Sequence, residues 1–526
     1  MGGRCCSGHK FCLRSGNHTF WPSRILDVMP DLLHGESVTI VLRERSDFHA
    51  NVEAAMQGPR DRYGTLSHRW GLIHLIMTTK STIECHKRGI KLDELPKTFK
   101  DTISIFRSLH IRYVWIDSLC IVQDDVQDWQ RESAQMAAVY SNSYLNIAVT
   151  AAADSNEGCF YLRTVKHGTS AAEPRSIPIV GTIHQRYNTG NTQDSASSDT
   201  EAMPLLSRAW VFQERQLAPR TVHFHPSELI MECNSAFRCE CADLENVHDM
   251  SRYNLAGLSS VDISNVHNRW FYLVQEYSTL NLTRSSGRLV ALMGVAKTFH
   301  DRLSCQYVAG IWTSDIARGL LWHVRKPVRA IWDRKSKGIV HRLPDALSFA
   351  PTWSWAFLIL DQAGTSINFT ALKDPTLKQH KLFKYVATNI PESITDFFST
   401  TEPPFLMVRG LLTMAKIYHR RKQGPLGKDA TLEFTVQGRS KKVKLGFDLD
   451  VTDRRSTGVR SGIMVYCLLI GTAEQRYVDN SIRIPWLLIL VCALKSNGDY
   501  ERLGICDGPT GTRIFENAPE KTLKLV

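Results

Sequence analysis

The sequence predicts an α/β fold: a parallel sheet with flanking helices, followed by a mixed α+β C-terminal domain with a β-rich end. Three observations predict it. Short apolar runs of strand length alternate with stretches of helical periodicity in the first half, and about 120 residues at the end alternate in the manner of strands. Strand, helix, strand, helix, strand at this spacing favours parallel strands joined by helical crossovers.

The first predicted strand is the apolar, β-prone segment 63–67. A helix is predicted at 95–109, because Pro96 suits a first helical turn and four apolar residues recur at helical spacing. These four residues are Phe99, Ile103, Phe106 and Leu109. The pattern predicts one apolar face that packs on the sheet.

The second and third strands are predicted at 112–116 and 144–149, with an amphipathic helix at 128–140 between them. The helix residues expected to face the core are Trp129, Met136, Val139 and Tyr140. Those expected on its polar face are Asp128, Arg131, Glu132 and Gln135. This completes the alternating pattern on which the parallel sheet is predicted.

Beyond residue 150 the pattern is less regular. The small, polar residues of 185–203 cannot bury enough apolar surface to order the segment, which predicts a mobile surface loop. A short helix is expected at 207–217 with Ser207 as its N-cap, followed by a hairpin of strands at 220–225 and 228–233. Later helices are expected at 268–280, 288–300 and 307–323, a buried strand entry at 351–356, and strands at 405–411, 486–494 and 500–506.

Charge and hydropathy exclude several classes of protein. Lys and Arg outnumber Asp and Glu by 64 to 52, but the basic runs at 325–337 and 439–444 lack the repeated aromatic interleaving of a platform that binds single strands. We therefore favour a solvated face over a nucleic-acid surface. The longest apolar run, 486–494, is too short for a membrane-spanning helix, and residues 1–10 lack the apolar core of a secretory signal. A cytoplasmic protein is expected.

Thirteen cysteines without a secretory signal indicate reduced thiols. Cys233, Cys239 and Cys241 follow two histidines, but their spacing lacks the paired C-x2-C of a structural zinc site. Buried thiols are the favoured interpretation and zinc the alternative, so no metal is predicted.

The N-terminus holds a second cysteine cluster, Cys5 and Cys6, beside Gly2. A myristoylation signal requires Ser or Thr at position 6, where this chain has Cys. An unmodified tail is therefore favoured over a lipid anchor at these three residues.

Ligands of an open parallel sheet bind beyond the carboxyl ends of its strands. This principle places Ser67, His68 and Arg69 on the same rim as Asp117 and Ser118, with Thr150 beside them. The rim is interpreted either as a ligand site or as structural polar residues. The signatures of dinucleotide oxidoreductases, P-loop NTPases, α/β-hydrolases and zincins are absent from the sequence. A nucleophilic Cys120 paired with His68 is disfavoured against a buried thiol.

Three carboxylates are compared as catalytic candidates. Asp117 either holds a ligand hydroxyl or caps the turn that follows it. Glu132 falls in the first part of a helix, where the helix dipole accounts for it. Glu214 follows Trp210 by four residues on the same helical face, so an aromatic ring in a dry cleft would raise its pKa. The alternative is a solvent-facing glutamate beside Arg215.

Five sequence blocks closely resemble the fungal heterokaryon-incompatibility (HET) domain. They are 63–71 with Trp70, 95–101, 112–124 with Trp115, 128–140 with Trp129 and Glu132, and 207–215 with Trp210. The later segments 307–312, 351–356 and 500–505 resemble the C-terminal half of stand-alone members. The resemblance implies a division into a tail and lead-in (1–55), the HET domain (56–245), a helical or mixed segment (246–400) and a β-rich segment (401–526).

The resemblance also implies functions. The family is associated with nonself recognition and regulated cell death in fungi, and its domain is similar to Toll/interleukin-1 receptor (TIR) domains, which have a flavodoxin-like sheet. Some TIR domains cleave NAD with the glutamate of a W-x-x-x-E motif, and Trp210 to Glu214 has that spacing. By that analogy Glu214 acts on the nicotinamide ribose, with Ser67 and Asp117 lining the cleft.

Two interpretations follow. The favoured one is an effector or signalling module that acts through protein partners or self-association, without a certain cofactor. The alternative is an NAD glycohydrolase with Glu214 as its catalytic residue and NAD as its substrate.

Overall fold

The computed structural model describes residues 20–30, 39–48, 62–71, 76–160, 203–225, 229–239, 255–282, 287–325, 340–342, 350–360, 365–370, 377–392, 402–420, 429–436, 439–447, 461–476, 483–509 and 512–526. The predicted loop at 185–203 lies outside these residues except for its last position. The N-terminal cysteine cluster also lies outside them.

The chain packs as two compact units. The first comprises Met1–Ser260 and Ala291–Thr298, and the second Val261–Val290 and Phe299–Val526. The four-part division made from the sequence stays a prediction. Among the described residues, no helix is both long and apolar enough to cross a membrane.

The first unit is built on a nine-stranded sheet with helices. Its strands are β1 (Arg24–Asp27), β2 (Thr39–Glu44), β3 (Tyr63–Ser67), β4 (Ile90–Lys91), β5 (Tyr113–Trp115), β6 (Leu145–Ala148), β7 (Arg220–Phe224), β8 (Leu229–Cys233) and β9 (Phe237–Cys239). Its helices are α1 (Ile83–Arg88), α2 (Lys97–Ser108), α3 (Asp117–Cys120), α4 (Val126–Ser141) and α5 (Ala209–Leu217).

The sheet is mixed, with the order β4-β2-β1-β5-β3-β6-β7-β8-β9. Its four central strands, β5, β3, β6 and β7, are parallel. The outer strands pair antiparallel, β4 with β2, β2 with β1 and β1 with β5 at one edge and β7 with β8 and β8 with β9 at the other. The predicted parallel sheet is therefore correct for the centre and incomplete at both edges.

Helix α2 packs its predicted apolar face on the sheet. Phe99, Ile103 and Phe106 are fully buried in the core of this unit. Gly64 of β3 allows this packing, because a Cβ atom there would lie 2.1 Å from the Phe106 ring. The prediction is wrong for Leu109, which is 51% exposed because the helix ends at Ser108.

Helix α4 is capped by Asp125, whose carboxylate accepts hydrogen bonds from the backbone amides of Gln127 and Asp128. Met136, Val139 and Tyr140 are buried as predicted. Trp129, predicted to face the core, is 41% exposed.

Two residues of the predicted polar face of α4, Asp128 and Glu132, are buried instead. They face Arg24 of β1, whose guanidinium donates to Asp128 and lies 3.8 Å from Glu132. The same guanidinium donates to the Cys120 carbonyl at 2.7 Å. A cation from a distant strand thus compensates two carboxylates inside the protein.

Helix α5 begins at Ala209, and its N-cap is Arg208 rather than the predicted Ser207. Ser207 instead ends the 3₁₀ turn Pro204–Ser207, where its hydroxyl donates to the Pro204 carbonyl at 2.7 Å, and α5 has no side-chain cap hydrogen bond. The predicted hairpin is confirmed: β7 and β8 pair antiparallel from Arg220 opposite Cys233 to Phe224 opposite Leu229.

The second unit contains three helices and fifteen strands among the described residues. Its helices are α6 (Ile263–Tyr277), α7 (Met293–Leu303, whose first residues belong to the first unit) and α8 (Ile316–Gly319). Its strands are β10 (Tyr307–Val308), β11 (Ile311–Trp312), β12 (Trp322–Arg325), β13 (Val340–Arg342), β14 (Leu358–Leu360), β15 (Ser366–Phe369), β16 (Lys378–Gln379), β17 (Lys384–Thr388), β18 (Leu406–Arg420), β19 (Asp429–Val436), β20 (Arg439–Phe447), β21 (Met464–Arg476), β22 (Arg483–Leu494), β23 (Tyr500–Pro509) and β24 (Glu520–Leu525).

The single helix predicted at 307–323 is wrong, because only the short helix α8 (Ile316–Gly319) and a 3₁₀ turn form within this segment. The chain forms a tight hairpin of β10 and β11 there, turning at Ala309 and Gly310, which both have positive φ. The strand entry predicted at 351–356 is a 3₁₀ turn, Trp355–Phe357, capped by the Ser354 hydroxyl. Aromatic side chains recur in both segments because they fill a core, which includes Trp270, Trp312 and Trp355.

The predicted β-rich end is confirmed. Strands β18 to β23 pair antiparallel in a closed cycle, because β18 bonds both β19 and β21 while β20 bonds β23. Side chains of Ile417, Leu432 and Ile489 lie in its buried core.

Candidate functional site

Parallel register brings the predicted rim residues of the first unit to one end of the sheet. Thr65 pairs with Trp115 across β3 and β5, so Ser67 and Asp117 stand at the same level. Ser67 pairs with Ala148 of β6, two residues before Thr150. The three strand ends therefore lie side by side, as parallel pairing requires.

Glu214 reaches this end of the sheet from α5. Its Oε2 accepts a hydrogen bond from the Ser67 hydroxyl at 2.5 Å. Glu214 is only 6% exposed and Ser67 is fully buried. Trp210, one helical turn earlier, packs partly buried against the core of this unit. The carboxylate thus points into the protein, toward the strand ends.

Asn146 of β6 completes the contact and was missed from the sequence. Because Ser67 gives its only proton to Glu214, its oxygen accepts from Asn146 Nδ2 at 3.1 Å. Asn146 Oδ1 accepts from the Thr65 hydroxyl at 3.0 Å. An amide in the middle of an apolar strand, Leu-Asn-Ile-Ala, is the signal that could have found it.

The surroundings of Glu214 change its protonation. Burial raises the pKa of Glu214 to about 7, against a lowering by the Ser67 hydrogen bond. The charge of Asp117 raises this pKa further, whereas Arg208 and the Tyr140 hydroxyl lower it. A carboxyl group with this pKa exists in both forms near neutral pH, so it suits a role as acid or base.

Asp117 lies at the start of α3 and remains 23% exposed at its side chain. Its Oδ1 accepts from the Ser118 amide at 2.7 Å, and its Oδ2 accepts from Trp70 Nε1 at 2.9 Å. The first of these contacts lies within the opening turn of α3, whose N-cap is Ile116 and which has no side-chain cap hydrogen bond. The exposed part of the carboxylate is available to a ligand hydroxyl.

His68 lies beside Asp117, with 3.9 Å between His68 Nδ1 and Asp117 Oδ1. Burial lowers the pKa of His68 to about 4, against the raising charge of Asp117, so the ring is neutral. Among the described residues, neither ring nitrogen has a hydrogen-bond partner, and the Ser118 hydroxyl has none either. Three buried polar atoms at the strand ends are thus left without partners.

The other predicted site residues do not join this cluster directly. Arg69 contacts Ser155 through its backbone carbonyl at 3.1 Å. Trp115 is buried with its ring 5.8 Å from Tyr140. Glu132 belongs to the Arg24 network, where burial raises its pKa and the Arg24 charge lowers it.

A second polar network begins at the residue after Glu214. Arg215 Nε donates to Glu232 Oε2 at 2.6 Å, and His223 Nε2 lies 3.0 Å from the same oxygen. His223 Nδ1 lies 3.2 Å from the Thr150 hydroxyl. Both Arg215 and its neighbour Glu214 are buried, so Glu214 is not the solvent-facing glutamate of the alternative interpretation. Thr150 belongs to this second network.

The sequence also raised a nucleophilic cysteine and a zinc site as alternatives. Burial raises the pKa of Cys120 to about 12, which disfavours a thiolate. In the residues that the structure describes, no three His, Cys, Asp or Glu side chains are grouped to hold a metal ion. Of the cysteines considered for zinc, Cys241 lies outside the described residues and no side-chain position is described for Cys239.

The comparisons with known proteins agree with the sequence blocks. Residues 63–214 match the family model of the heterokaryon incompatibility protein (HET). No curated protein and no solved structure matches the chain. The matched segment begins with β3 and ends at Glu214, so it spans the strand ends and both partners of the Ser67–Glu214 hydrogen bond. This chain therefore carries a heterokaryon-incompatibility (HET) domain in residues 63–214.

Proposed function

We propose that this chain is an effector or signalling module of fungal heterokaryon incompatibility, which promotes regulated cell death through protein contacts. The match of residues 63–214 to the HET family model carries this proposal. The same proposal places the protein in the cytoplasm, where it meets its partners or a second copy of itself.

An exposed tryptophan that packs beside a partly buried one on the HET domain supports protein contact. Trp129 of α4 is 41% exposed, and its ring lies 6.5 Å from that of Trp210 on α5. Val126, at the start of α4, is also exposed. Tryptophan is enriched among residues that dominate binding energy at protein interfaces, so a solvent-facing tryptophan on this domain fits a partner surface.

Substitution of the exposed tryptophan tests this proposal. We expect Trp129→Ala to abolish killing when the chain is expressed in yeast, and to weaken self-association or partner association. The matched control is Leu109→Ala, which removes another exposed apolar side chain outside the pair. Unchanged killing by a folded Trp129→Ala variant would contradict the role of this surface.

The geometry of Glu214 favours a second candidate function, NAD cleavage. The observation that supports it is the buried Ser67–Glu214 hydrogen bond at the strand ends, together with the pKa of Glu214 near neutrality. In this role the Glu214 carboxylate stabilises the positive charge that develops on the nicotinamide ribose as the glycosidic bond breaks. Asp117 accepts a hydrogen bond from a ribose hydroxyl. Water then attacks the ribosyl cation, and the products are nicotinamide and ADP-ribose.

A pair of glutamate variants separates the two functions. We expect Glu214→Gln to slow NAD cleavage by the purified chain by about 10²–10⁴-fold, because it removes the charged group. Glu132→Gln is the matched control, since Glu132 is equally buried but lies in the Arg24 network. Killing in yeast with unchanged cellular NAD in the wild type would reject NAD cleavage and leave the protein-contact proposal standing.

A further inference from the structure

A thiol, a hydroxyl and an imidazole meet in the second unit. The three residues are Cys305, two residues after α7, Ser314 in the 3₁₀ turn Thr313–Asp315, and His267 of α6. Ser314 Oγ lies 3.0 Å from Cys305 Sγ and 2.9 Å from His267 Nε2. A nucleophile within hydrogen-bond reach of a base is the arrangement that activates side chains in covalent chemistry.

The β10–β11 hairpin builds this contact. Tyr307 pairs with Trp312 and Val308 with Ile311, and the Thr313 amide donates to the Gln306 carbonyl at 3.0 Å. The next pair in the same register is Cys305 with Ser314. The contact is thus set by backbone pairing rather than by two mobile side chains.

The available donors and acceptors fix the direction of the hydrogen bonds among the three groups. His267 Nδ1 lies 3.0 Å from the Ile263 carbonyl, which can only accept, so Nδ1 carries the proton. Burial lowers the pKa of His267, as does Arg318, against the raising charge of Asp315, and the ring is therefore neutral near neutral pH. Its Nε2 then has a free lone pair and accepts from a hydroxyl.

Ser314 is the donor to that lone pair. Because Ser314 has only one proton and gives it to His267 Nε2, its oxygen must accept from the Cys305 thiol. The proton path runs from Cys305 through Ser314 to His267, and the Ile263 carbonyl orients the ring. Ser314 is exposed and Cys305 partly exposed, whereas His267 is buried, so the nucleophilic end of the path meets solvent.

We infer that Cys305 is a nucleophilic thiol that hydrogen peroxide oxidises to a sulfenic acid, with Ser314 and His267 as its proton relay. The sulfur attacks one peroxide oxygen, an S–O bond forms and the O–O bond breaks. The thiol proton passes to Ser314 as Ser314 passes its own to His267, and the relay then returns a proton to the leaving hydroxide to give water. Sulfur loses two electrons and peroxide gains them. Peroxide suits the site because it is small and its leaving oxygen needs the proton that the relay holds.

Site-resolved trapping tests the inference on the purified full-length chain. The chain is treated with limiting hydrogen peroxide, the sulfenic acid is trapped with dimedone, and each cysteine peptide is quantified by mass spectrometry. Cys85, a free thiol that is more exposed than Cys305, is the internal reference. We expect Cys305 to be trapped at least about tenfold faster than Cys85, the gain of a positioned base.

Variants of the relay decide the outcome. Ser314→Ala should reduce trapping at Cys305 to the rate of Cys85, whereas Ser314→Thr keeps a hydroxyl and should retain most of the rate. Ser314 is exposed, so both variants are expected to fold, which thermal denaturation checks. Equal trapping at Cys305 and Cys85, or a rate at Cys305 that Ser314→Ala leaves unchanged, would overturn the inference.

Discussion

Two glutamates of the first unit, Glu214 and Glu232, are both largely buried and lie in adjacent polar networks, yet their charges differ. The pKa of Glu214 is raised to about 7, whereas the pKa of Glu232 is lowered to about 2. Burial acts in the same direction on both, because it raises the pKa of each carboxyl group.

The difference comes from the partners. Glu214 accepts its short hydrogen bond from the neutral Ser67 hydroxyl. Glu232 is held by two nitrogens of the Arg215 guanidinium, Nε at 2.6 Å and Nη2 at 3.1 Å, and by His223. A bidentate guanidinium outweighs desolvation, and a single hydroxyl does not. In α5, Glu214 therefore has a pKa near neutrality, whereas the next residue, Arg215, keeps the Glu232 carboxyl group of β8 ionised.

The largest expected effect comes from removing the cation. Arg215→Met leaves Glu232 without its guanidinium, and breaking a buried ion pair costs about 3–5 kcal/mol in the free energy of unfolding. Hydrogen exchange of the β7 and β8 amides measures the loss locally. The control is Arg131→Met, because Arg131 is 55% exposed and its pair with Asp128 should contribute about 0–1 kcal/mol. Equal losses for the two variants would contradict the comparison.

Glu232 should stabilise the first unit in a way that acid removes. Its folded pKa lies below the ordinary value of 4.5, so its contribution is present above 4.5 and disappears as pH falls to about 2. The loss is on the order of 3 kcal/mol. Urea denaturation across this range measures it. Glu232→Gln should be less stable than the wild type at neutral pH and should lack this acid dependence, and an unchanged profile would reject the ion pair.

Glu214 should show the opposite dependence. Its folded pKa is raised, so its protonated form stabilises the fold below 4.5, and this contribution is lost as pH rises through about 7. Glu214→Gln should therefore be more stable than the wild type above neutral pH, by on the order of 3 kcal/mol. Thermal denaturation at mildly acidic and mildly alkaline pH measures the difference. A variant that is destabilised more at alkaline than at acidic pH would show that Glu214 has a cationic partner.

The smallest effect is expected from the hydroxyl. Ser67→Ala removes the donor to Glu214 and should cost about 1–2 kcal/mol, since a buried acceptor loses its partner. Because the Ser67 hydrogen bond lowers the pKa of Glu214, this pKa should rise further, which carbon-detected NMR titration reports. Ser118→Ala is the control: its buried hydroxyl has no partner among the described residues, so its removal should not destabilise the fold.

Local periodicity predicted most elements of the first unit. Strands β3, β5 and β6 and helices α2 and α4 lie where the apolar spacing placed them, to within a few residues. The prediction failed where an apolar segment was compatible with both a helix and a pair of short strands. Segment 307–323 has enough apolar residues for a helix, but the positive φ of Ala309 and Gly310 turns it into a hairpin.

The candidate site was predictable in part, because the strands that carry it were predicted from the local apolar pattern. Parallel pairing made the ends of β3 and β5 neighbours, so Ser67 and Asp117 could be placed together from the strand pattern. Asn146 was missed, because its role depends on Ser67 and Thr65 in a strand about 80 residues away along the chain, a separation that no local pattern spans.

The sequence by itself determined the order of the central helices and strands of the first unit, the HET blocks and the Trp210–Glu214 spacing, because all of these are local or periodic properties of the chain. Only the tertiary structure decided which charges are buried and in which form. Asp128 and Glu132 are buried against Arg24, which lies about 100 residues away along the chain and compensates their charge. Trp129 is exposed, although the helix pattern predicted that it faces the core. Burial and protonation depend on the neighbours that folding supplies, and those neighbours come from distant parts of the chain.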